Sequence, residues 1–314
     1  MKICVLYPNE NWILDRLGKK WNFENKNLVS NIHNCDIIWC LAHYKLLKLI
    51  KKKKLPKNKL VITSIHHIPL PDKINENKII NYKLVDNHSN LIHYTSGISK
   101  NIISKYFKKP KILLPLWNDE KIWFNINDKN GLRKKYNIDP KCFLIGTFQR
   151  DTEGHSIKNQ KFLPKLEKGP DIFIKAVMKL KKKHKNIKVL LGGWRRQFVI
   201  KKLEENKIDY YYYERKGLNI VNELYNCLDL YIVSSRREGG PRAINECGLN
   251  KTPILTTRVG ISEIICHPKS FFDGNRVETI LDCETDIEFN FQNAMKYSVE
   301  NYMKEFNQKL FNIK

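Results

Sequence analysis

The chain has no apolar run long enough to cross a bilayer as a helix, so its hydrophobic segments read as strands and core helices. It has eight cysteines but no Cys-x-x-Cys pair. That spacing offers neither a zinc ligand set nor a disulfide framework, and the cysteines read as buried thiols of a reducing, cytoplasmic compartment. No Asp-x-Asp stands at the end of a strand, no nucleic-acid-binding motif is present, and nothing points to a covalent cofactor. The first residues, Met1-Lys2-Ile3-Cys4-Val5-Leu6-Tyr7-Pro8, have too short an apolar core for a signal peptide and read as a first strand. Acidic residues are scarce beside basic ones: 32 Asp and Glu against 57 Lys and Arg, a net charge of +25. Such a surplus suits a polyanion: nucleic acid, an anionic membrane surface or an acidic acceptor. It equally suits a Lys-, Asn- and Ile-rich composition with no function of its own, and its spread over both halves favours that plainer reading.

The chain is also rich in what makes a core, with 42% hydrophobic and 11% aromatic residues, which excludes a disordered chain. At 314 residues it is long enough for two domains. Strand-like runs alternate with helix-like ones throughout, the pattern of an α/β protein with parallel sheets. Strands are expected near 2–7, 36–41, 60–65, 91–95 and 111–114, then 143–148, 188–191, 210–213, 228–233 and 253–257. The polar segment 115–130 reads as a connection between two domains, and the periodicity near the end predicts one helix over 291–311.

The densest information lies in Ser235-Arg236-Arg237-Glu238-Gly239-Gly240-Pro241-Arg242-Ala243-Ile244-Asn245-Glu246. Two glutamates stand with seven residues between them. A buried strand precedes the first, and a helix from about Pro241 carries the second, proline suiting a first helical position. Glu238 therefore lies on a strand-to-helix loop and Glu246 near the second turn of the helix. Open amides at Gly239, Gly240 and the helix start can hold an anion. Amides for phosphate, flanked by carboxylates for hydroxyls, make a cradle for a sugar diphosphate. The plain alternative is an Arg242–Glu246 pair on one helix face and a solvated Glu238.

With Leu224-Tyr225-Asn226-Cys227-Leu228-Asp229-Leu230-Tyr231 before it and Lys251-Thr252-Pro253-Ile254 and Val259-Gly260 after it, this segment resembles the E-x7-E signature of retaining, nucleotide-sugar-dependent glycosyltransferases of family 4, the glycosyl transferases group 1. The resemblance covers most of the second half. It implies a GT-B fold, two facing Rossmann-like doubly wound domains with a cleft between them. The acceptor-side domain would span 1–120 and the nucleotide-sugar domain 121–290, with a helix over 291–314 crossing back to the first. The reaction implied is metal-independent sugar transfer from a nucleotide-diphosphate sugar, a UDP- or GDP-sugar, to a hydroxyl of a glycan, lipid or protein acceptor. No cofactor beyond the donor is implied.

The resemblance also assigns roles. Glu246 would take the ribose hydroxyls. Glu238 and the Gly239 and Gly240 amides, before Pro241, would face the transferred hexose. Arg150, after the strand ending Ile145-Gly146-Thr147, and Lys168, in Lys168-Gly169-Pro170, would grip the diphosphate, as a forked and a point-charge donor do. Residues 151–167 are an insertion relative to the usual spacing, so Lys158, Lys161 or Lys165 are alternatives to Lys168. The nucleotide base is expected near 213–218. In the first half, His66 and His67 follow a strand and would face the donor sugar, and the loop 8–12 would touch acceptor or phosphate. The competing function is a basic nucleic-acid-binding protein on a Rossmann-like scaffold, which has only the charge behind it.

Overall fold

The computed structural model describes residues 1–154 and 162–312. The chain divides into two compact units, one of Met1–Pro115 with Lys304–Lys314, the other of Leu116–Met303. In the first, strands and helices alternate: β1 (Ile3–Leu6), α1 (Ile13–Glu24), β2 (Ile37–Cys40), α2 (His43–Lys51), β3 (Leu60–Ile65), α3 (Glu76–His88), β4 (Leu91–Tyr94), α4 (Lys100–Tyr106) and β5 (Lys111–Leu113). The second holds α5 (Lys129–Lys135), β6 (Phe143–Thr147), α6 (Pro170–Leu180), β7 (Ile187–Gly192), α7 (Gln197–Glu205), β8 (Tyr210–Tyr213), α8 (Leu218–Asn226), β9 (Leu230–Val233), α9 (Arg242–Leu249), β10 (Ile254–Thr256), α10 (Ser262–Ile265) and α11 (Ile287–Met295). The last helix, α12 (Val299–Phe311), begins in the second unit and ends in the first.

Each unit is built on a five-stranded sheet, and every strand pair is parallel. Parallel strands are covered on both faces, which is why β2 and β9 are wholly buried apolar runs rather than alternating ones. The second sheet has the order β10-β9-β6-β7-β8. Its order reverses between β6 and β9, and at such a point the loops beyond the strand ends splay apart to leave a ligand site. The first sheet runs in sequence order, β1 to β5. Its reversal is reduced to one parallel bridge from Ile3 to Val29, because the Asn-rich residues around Val29 have too few apolar side chains for a full strand.

Three segments add to or differ from the sequence expectations. The polar connection is packed: Trp117 and Trp123 are 1% and 5% exposed. It is held by Asn118, whose amide donates to the Tyr297 carbonyl (2.8 Å) and whose carbonyl accepts from Val299 (2.9 Å). Its far end forms α5, capped by the Asp128 carboxylate on the Gly131 amide at 2.8 Å. The same Asn118 contacts explain why the expected single terminal helix is two. Asn118 bridges to Ser298 between α11 and α12, and the Glu120 carboxylate accepts from the Val299 amide at 2.8 Å, capping the second helix. Finally, Pro241 is the N-cap of α9 rather than its first helical residue. Its φ of −62° suits a helix, but its ψ of 115° is extended.

The first unit has a polar chain at its centre. Trp39 donates to Ser64 Oγ at 2.9 Å, and Ser64 lies 2.7 Å from His93 Nδ1. His93 Nε2 lies 2.8 Å from the Leu114 carbonyl. A carbonyl can only accept, so His93 carries its proton on Nε2 and takes the Ser64 proton bond on Nδ1. Trp21, Phe306 and Phe311 pack around Trp39. Burial pushes His93 down to about 3. In the unfolded chain His93 takes up a proton near pH 6.5. Its contribution is therefore complete above that pH and is lost as pH falls toward about 3. The thermal midpoint of the wild type is expected to drop more steeply between pH 6.5 and 4 than that of His93→Gln, by an amount equivalent to a few kcal/mol. Parallel curves for the two proteins would refute this assignment.

Candidate active site

The second unit places the motif glutamates at the reversal of its sheet. Ser234 and Ser235 leave β9 buried, and Glu238 follows on the loop before α9. Beside them runs Leu166–Lys168, a short 3-10 turn that leads through Gly169 into α6. The Glu167 carbonyl accepts from the Arg236 and Arg237 amides at 2.9 and 3.2 Å. Arg236 then grips Asp171 in the first turn of α6 with two parallel bonds of 2.7 and 2.6 Å. Burial pushes the Asp171 carboxyl up, but the Arg236 guanidinium outweighs it and holds the group below its ordinary value.

Lys168 ends against Glu238, its ammonium paired with Oε2. The other Glu238 oxygen lies 2.5 Å from Ser235 Oγ. Gln149, just beyond β6, donates to the Lys168 carbonyl at 2.8 Å. Residues from three separate stretches thus meet at one point.

Lys168 directly follows the insertion, whose two ends lie side by side. Thr152 and Pro164 form an antiparallel bridge. The Asp151 carbonyl accepts from Lys165 (2.7 Å) and the Leu163 carbonyl from Glu153 (3.0 Å). The two ends of the insertion are thereby zipped together, and the chain re-enters the site beside the point where it left. Lys158 and Lys161 lie outside the described residues. Lys165 is described, with its ammonium near Glu153 and Glu167 and its pKa pushed down, first by burial.

Arg150 also stands at the end of β6, half-buried. Its guanidinium donates to the Thr152 carbonyl at 3.0 Å and to the Gly154 carbonyl. It lies 5.2 Å from the Trp194 ring centroid, with Arg195 at 5.9 Å and Arg215 at 4.8 Å around the same indole. Three cations therefore gather at the ends of β6, β7 and β8. Sequence reasoning missed Trp194, Arg195 and Arg215, although Gly192-Gly193 after a buried strand signals a close backbone approach.

It also missed Arg196, which is buried whole. Arg196 donates to Asp151 Oδ2 (2.5 Å), to the Thr147 carbonyl (2.5 Å) and to the Gly192 carbonyl (2.8 Å). A charge so deep is tolerable only with a full set of partners.

Glu246 lies on α9 and is 7% exposed. It accepts from the Tyr225 phenol at 2.8 Å. Arg242, the partner of the plainer reading, points its guanidinium to the Trp117 carbonyl at 2.6 Å. Gly239 and Pro241 are buried and Gly240 half-buried. A Cβ on Gly260 would come within 2.4 Å of Pro241 Cδ and 3.0 Å of Gly240 Cα, so the Val259-Gly260 turn supports this loop from below. The expected base region, 213–218, is the loop from β8 into α8 and carries Arg215.

In the first unit, His66 and His67 follow β3. His66 Nε2 donates to the Leu41 carbonyl at 2.7 Å. Both rings stand near His43 at the start of α2, and burial, with their two charges, pushes His43 down to about 4. The loop 8–12 is wound onto the buried Asp15 carboxylate, which accepts from the amides of Asn9 (2.6 Å), Glu10 (2.7 Å) and Trp12 (3.3 Å). Burial pushes Asp15 up, but these amides outweigh it and hold the group below its ordinary value. Among the described residues, no group of three His, Cys, Asp or Glu side chains converges as a metal ion would need, and no helix is long and apolar enough to cross a membrane. All eight cysteines are free, and seven are buried.

Gly169 has a φ of +59°, and a Cβ there would lie 1.8 Å from the Ser234 carbonyl. Gly169→Ala is expected to lower stability by about 2 kcal/mol or more, from left-handed strain and overlap together. Urea denaturation reads this directly, and an unchanged midpoint would mean that the 167–169 turn is not pressed against β9.

Residues 163–283 match the family model described as glycosyl transferases group 1. No curated protein matches the sequence. Among solved structures, HepE of Anabaena, determined with UDP and glucose, is 14% identical with a TM-score of 0.76, each chain covered over 100% of its length. Sucrose-phosphate synthase from Thermosynechococcus elongatus is 13% identical with a TM-score of 0.69, over 97% of this chain and 79% of that one. WaaG, a glycosyltransferase involved in lipopolysaccharide biosynthesis, is 12% identical with a TM-score of 0.64, over 100% of both. At these identities the likeness is one of fold, an α/β fold of the GT-B class with two parallel five-stranded sheets. Lys168, Glu238 and Glu246 all lie within the stretch that matches the group 1 glycosyl transferase model.

Proposed function

We propose that the chain is a retaining glycosyltransferase that moves a hexose from a nucleotide-diphosphate sugar to an acceptor hydroxyl without a divalent metal ion. The observation that carries this reading is the meeting of Lys168 with Glu238 at the sheet reversal, inside the stretch matching the glycosyltransferase family. A cation and a carboxylate side by side suit the junction of a sugar diphosphate: the ammonium faces the phosphate and the carboxylate faces the sugar hydroxyls. Arg150 supplies a second cation, and Glu246, set on α9, accepts from the ribose hydroxyls. HepE, bound to UDP and to UDP-glucose, makes a UDP-hexose the first donor to test.

In the proposed reaction the bond from the anomeric carbon to the diphosphate oxygen breaks and the bond to the acceptor oxygen forms on the same face. The acceptor proton passes to the departing phosphate. Glu238 is paired on one oxygen with Lys168 and bonded on the other to Ser235, an arrangement suited to holding the sugar rather than attacking it. The competing reading, a nucleic-acid-binding protein, draws only on the net charge of +25. The deciding experiment is incubation with UDP-, GDP- and ADP-hexoses, scored by release of the nucleoside diphosphate. No turnover and no nucleotide binding, beside salt-steep binding to DNA, would reverse the choice.

Glu246→Ala is expected to weaken nucleoside diphosphate binding by about 1.5–3 kcal/mol in calorimetry, while Glu238→Gln leaves that affinity intact and lowers turnover. Identical behaviour of the two variants would sink the division of roles.

Transfer is expected to survive EDTA, since preorganised cations stabilise the leaving diphosphate. Lys168→Ala is expected to lower kcat by about 100-fold, with binding of the free nucleoside unchanged. A strict requirement for magnesium or manganese, or full activity of Lys168→Ala, would contradict this account.

A further inference from the structure

Tyr225 sits in the last turn of α8 and is 1% exposed. Aromatic rings wall it in: Phe148 at 4.7 Å, Tyr231 at 5.3 Å and Trp123 edge-on at 5.9 Å. In such a packing a phenylalanine would fill the same space, and the hydroxyl adds a desolvation cost that only a partner offsets. That partner is Glu246 Oε2, at 2.8 Å. Glu246 is itself a carboxylate 7% exposed on α9, where packing alone would favour an apolar residue. Two polar groups, each costly to bury, face one another across two helices.

The phenol can play one part in this pair. Burial, and after it the Glu246 charge, raises Tyr225 well above its ordinary value, so the hydroxyl remains a donor at any working pH. A fixed donor on one carboxylate oxygen sets the rotation of the carboxylate about its last bond. The chain supports this arrangement on both sides. Tyr225 is held from behind by the Thr252 hydroxyl, which donates to its carbonyl at 3.1 Å. Beside it, Tyr231 accepts from the Phe148 amide at 2.8 Å, and Phe148 immediately precedes Gln149 and Arg150.

Resting on the donor reading above, we propose that Tyr225 is a positioning residue that orients the Glu246 carboxylate toward the two ribose hydroxyls of the nucleotide. Tyr225 touches no substrate. It removes the rotational freedom that Glu246 would otherwise lose on binding, and its effect is confined to ligands that carry those hydroxyls.

The test compares Tyr225→Phe with the wild type by calorimetry. UDP, GDP and ADP are titrated first, and the tightest binder is then paired with its 2′,3′-dideoxy counterpart. Tyr225→Phe is expected to raise Kd for the ribonucleotide about 5- to 20-fold, to change Kd for the dideoxy compound less than about 2-fold, and to raise donor KM more than it lowers kcat. Equal loss for both ligands would make Tyr225 a packing residue only and overturn the inference, as would an unchanged ribonucleotide affinity. Should the phenylalanine variant fold poorly, the wild type carries the decision: equal affinity for ribo- and dideoxynucleotide leaves Glu246 no hydroxyl to hold and overturns the inference too. Failure of the wild type to bind any of the three nucleotides overturns the donor reading itself, a distinct result.

Discussion

The candidate site depends on Asp151. Its carboxylate binds Arg196 at 2.5 Å in a place where neither is exposed. Its amide donates to the Arg195 carbonyl at 3.2 Å, and its carbonyl accepts from Lys165 at 2.7 Å. One residue thus ties the ends of β6 and β7 together and closes the insertion that follows it. Arg196 adds bonds to the carbonyls of Thr147 and Gly192, the last residues of those same two strands. Removing either partner would leave a charge buried alone, which is far more costly than the pair is favourable.

From that closure the rest of the arrangement follows by connection. The chain returns at Lys165, turns through Leu166–Lys168 and starts α6 at Pro170. The turn presses on β9, and its carbonyls receive Gln149, Ser234, Arg236 and Arg237. Glu238 then meets Lys168 because both loops are held by backbone bonds, so the ion pair is a consequence of the frame rather than its cause. A lone pair of this kind on an open surface would contribute little.

How much of this was legible in the sequence can be judged residue by residue. The strands and helices of both sheets follow from apolar runs bounded by polar turns, so their order was readable. The loop position of Glu238 and the helical position of Glu246 follow from Gly-Gly-Pro beside a buried strand. The break between α11 and α12 was not readable, because Phe291 to Phe311 keeps a helical period while the interruption comes from Asn118, far away in the chain. Segment 115–130 looked polar because its Asn, Asp, Glu and Lys together outnumber its apolar residues. Two tryptophans and the capping bonds of Asn118 and Asp128 nonetheless bury or order it.

The sequence by itself determined the local elements and the spacing of the chemistry. An α/β alternation, a strand-loop-helix unit with glutamates at fixed positions and a Lys-Gly-Pro helix start are all set by propensity and period over a few residues. Only the tertiary structure decided which of these parts meet. Lys168 reaches Glu238 because the insertion is zipped shut at Thr152 and Pro164. Tyr225 reaches Glu246 across 21 residues and Arg196 reaches Asp151 across 45. Such contacts depend on strand register and on burial that forces polar groups to find partners, and neither is written in any short stretch of the chain.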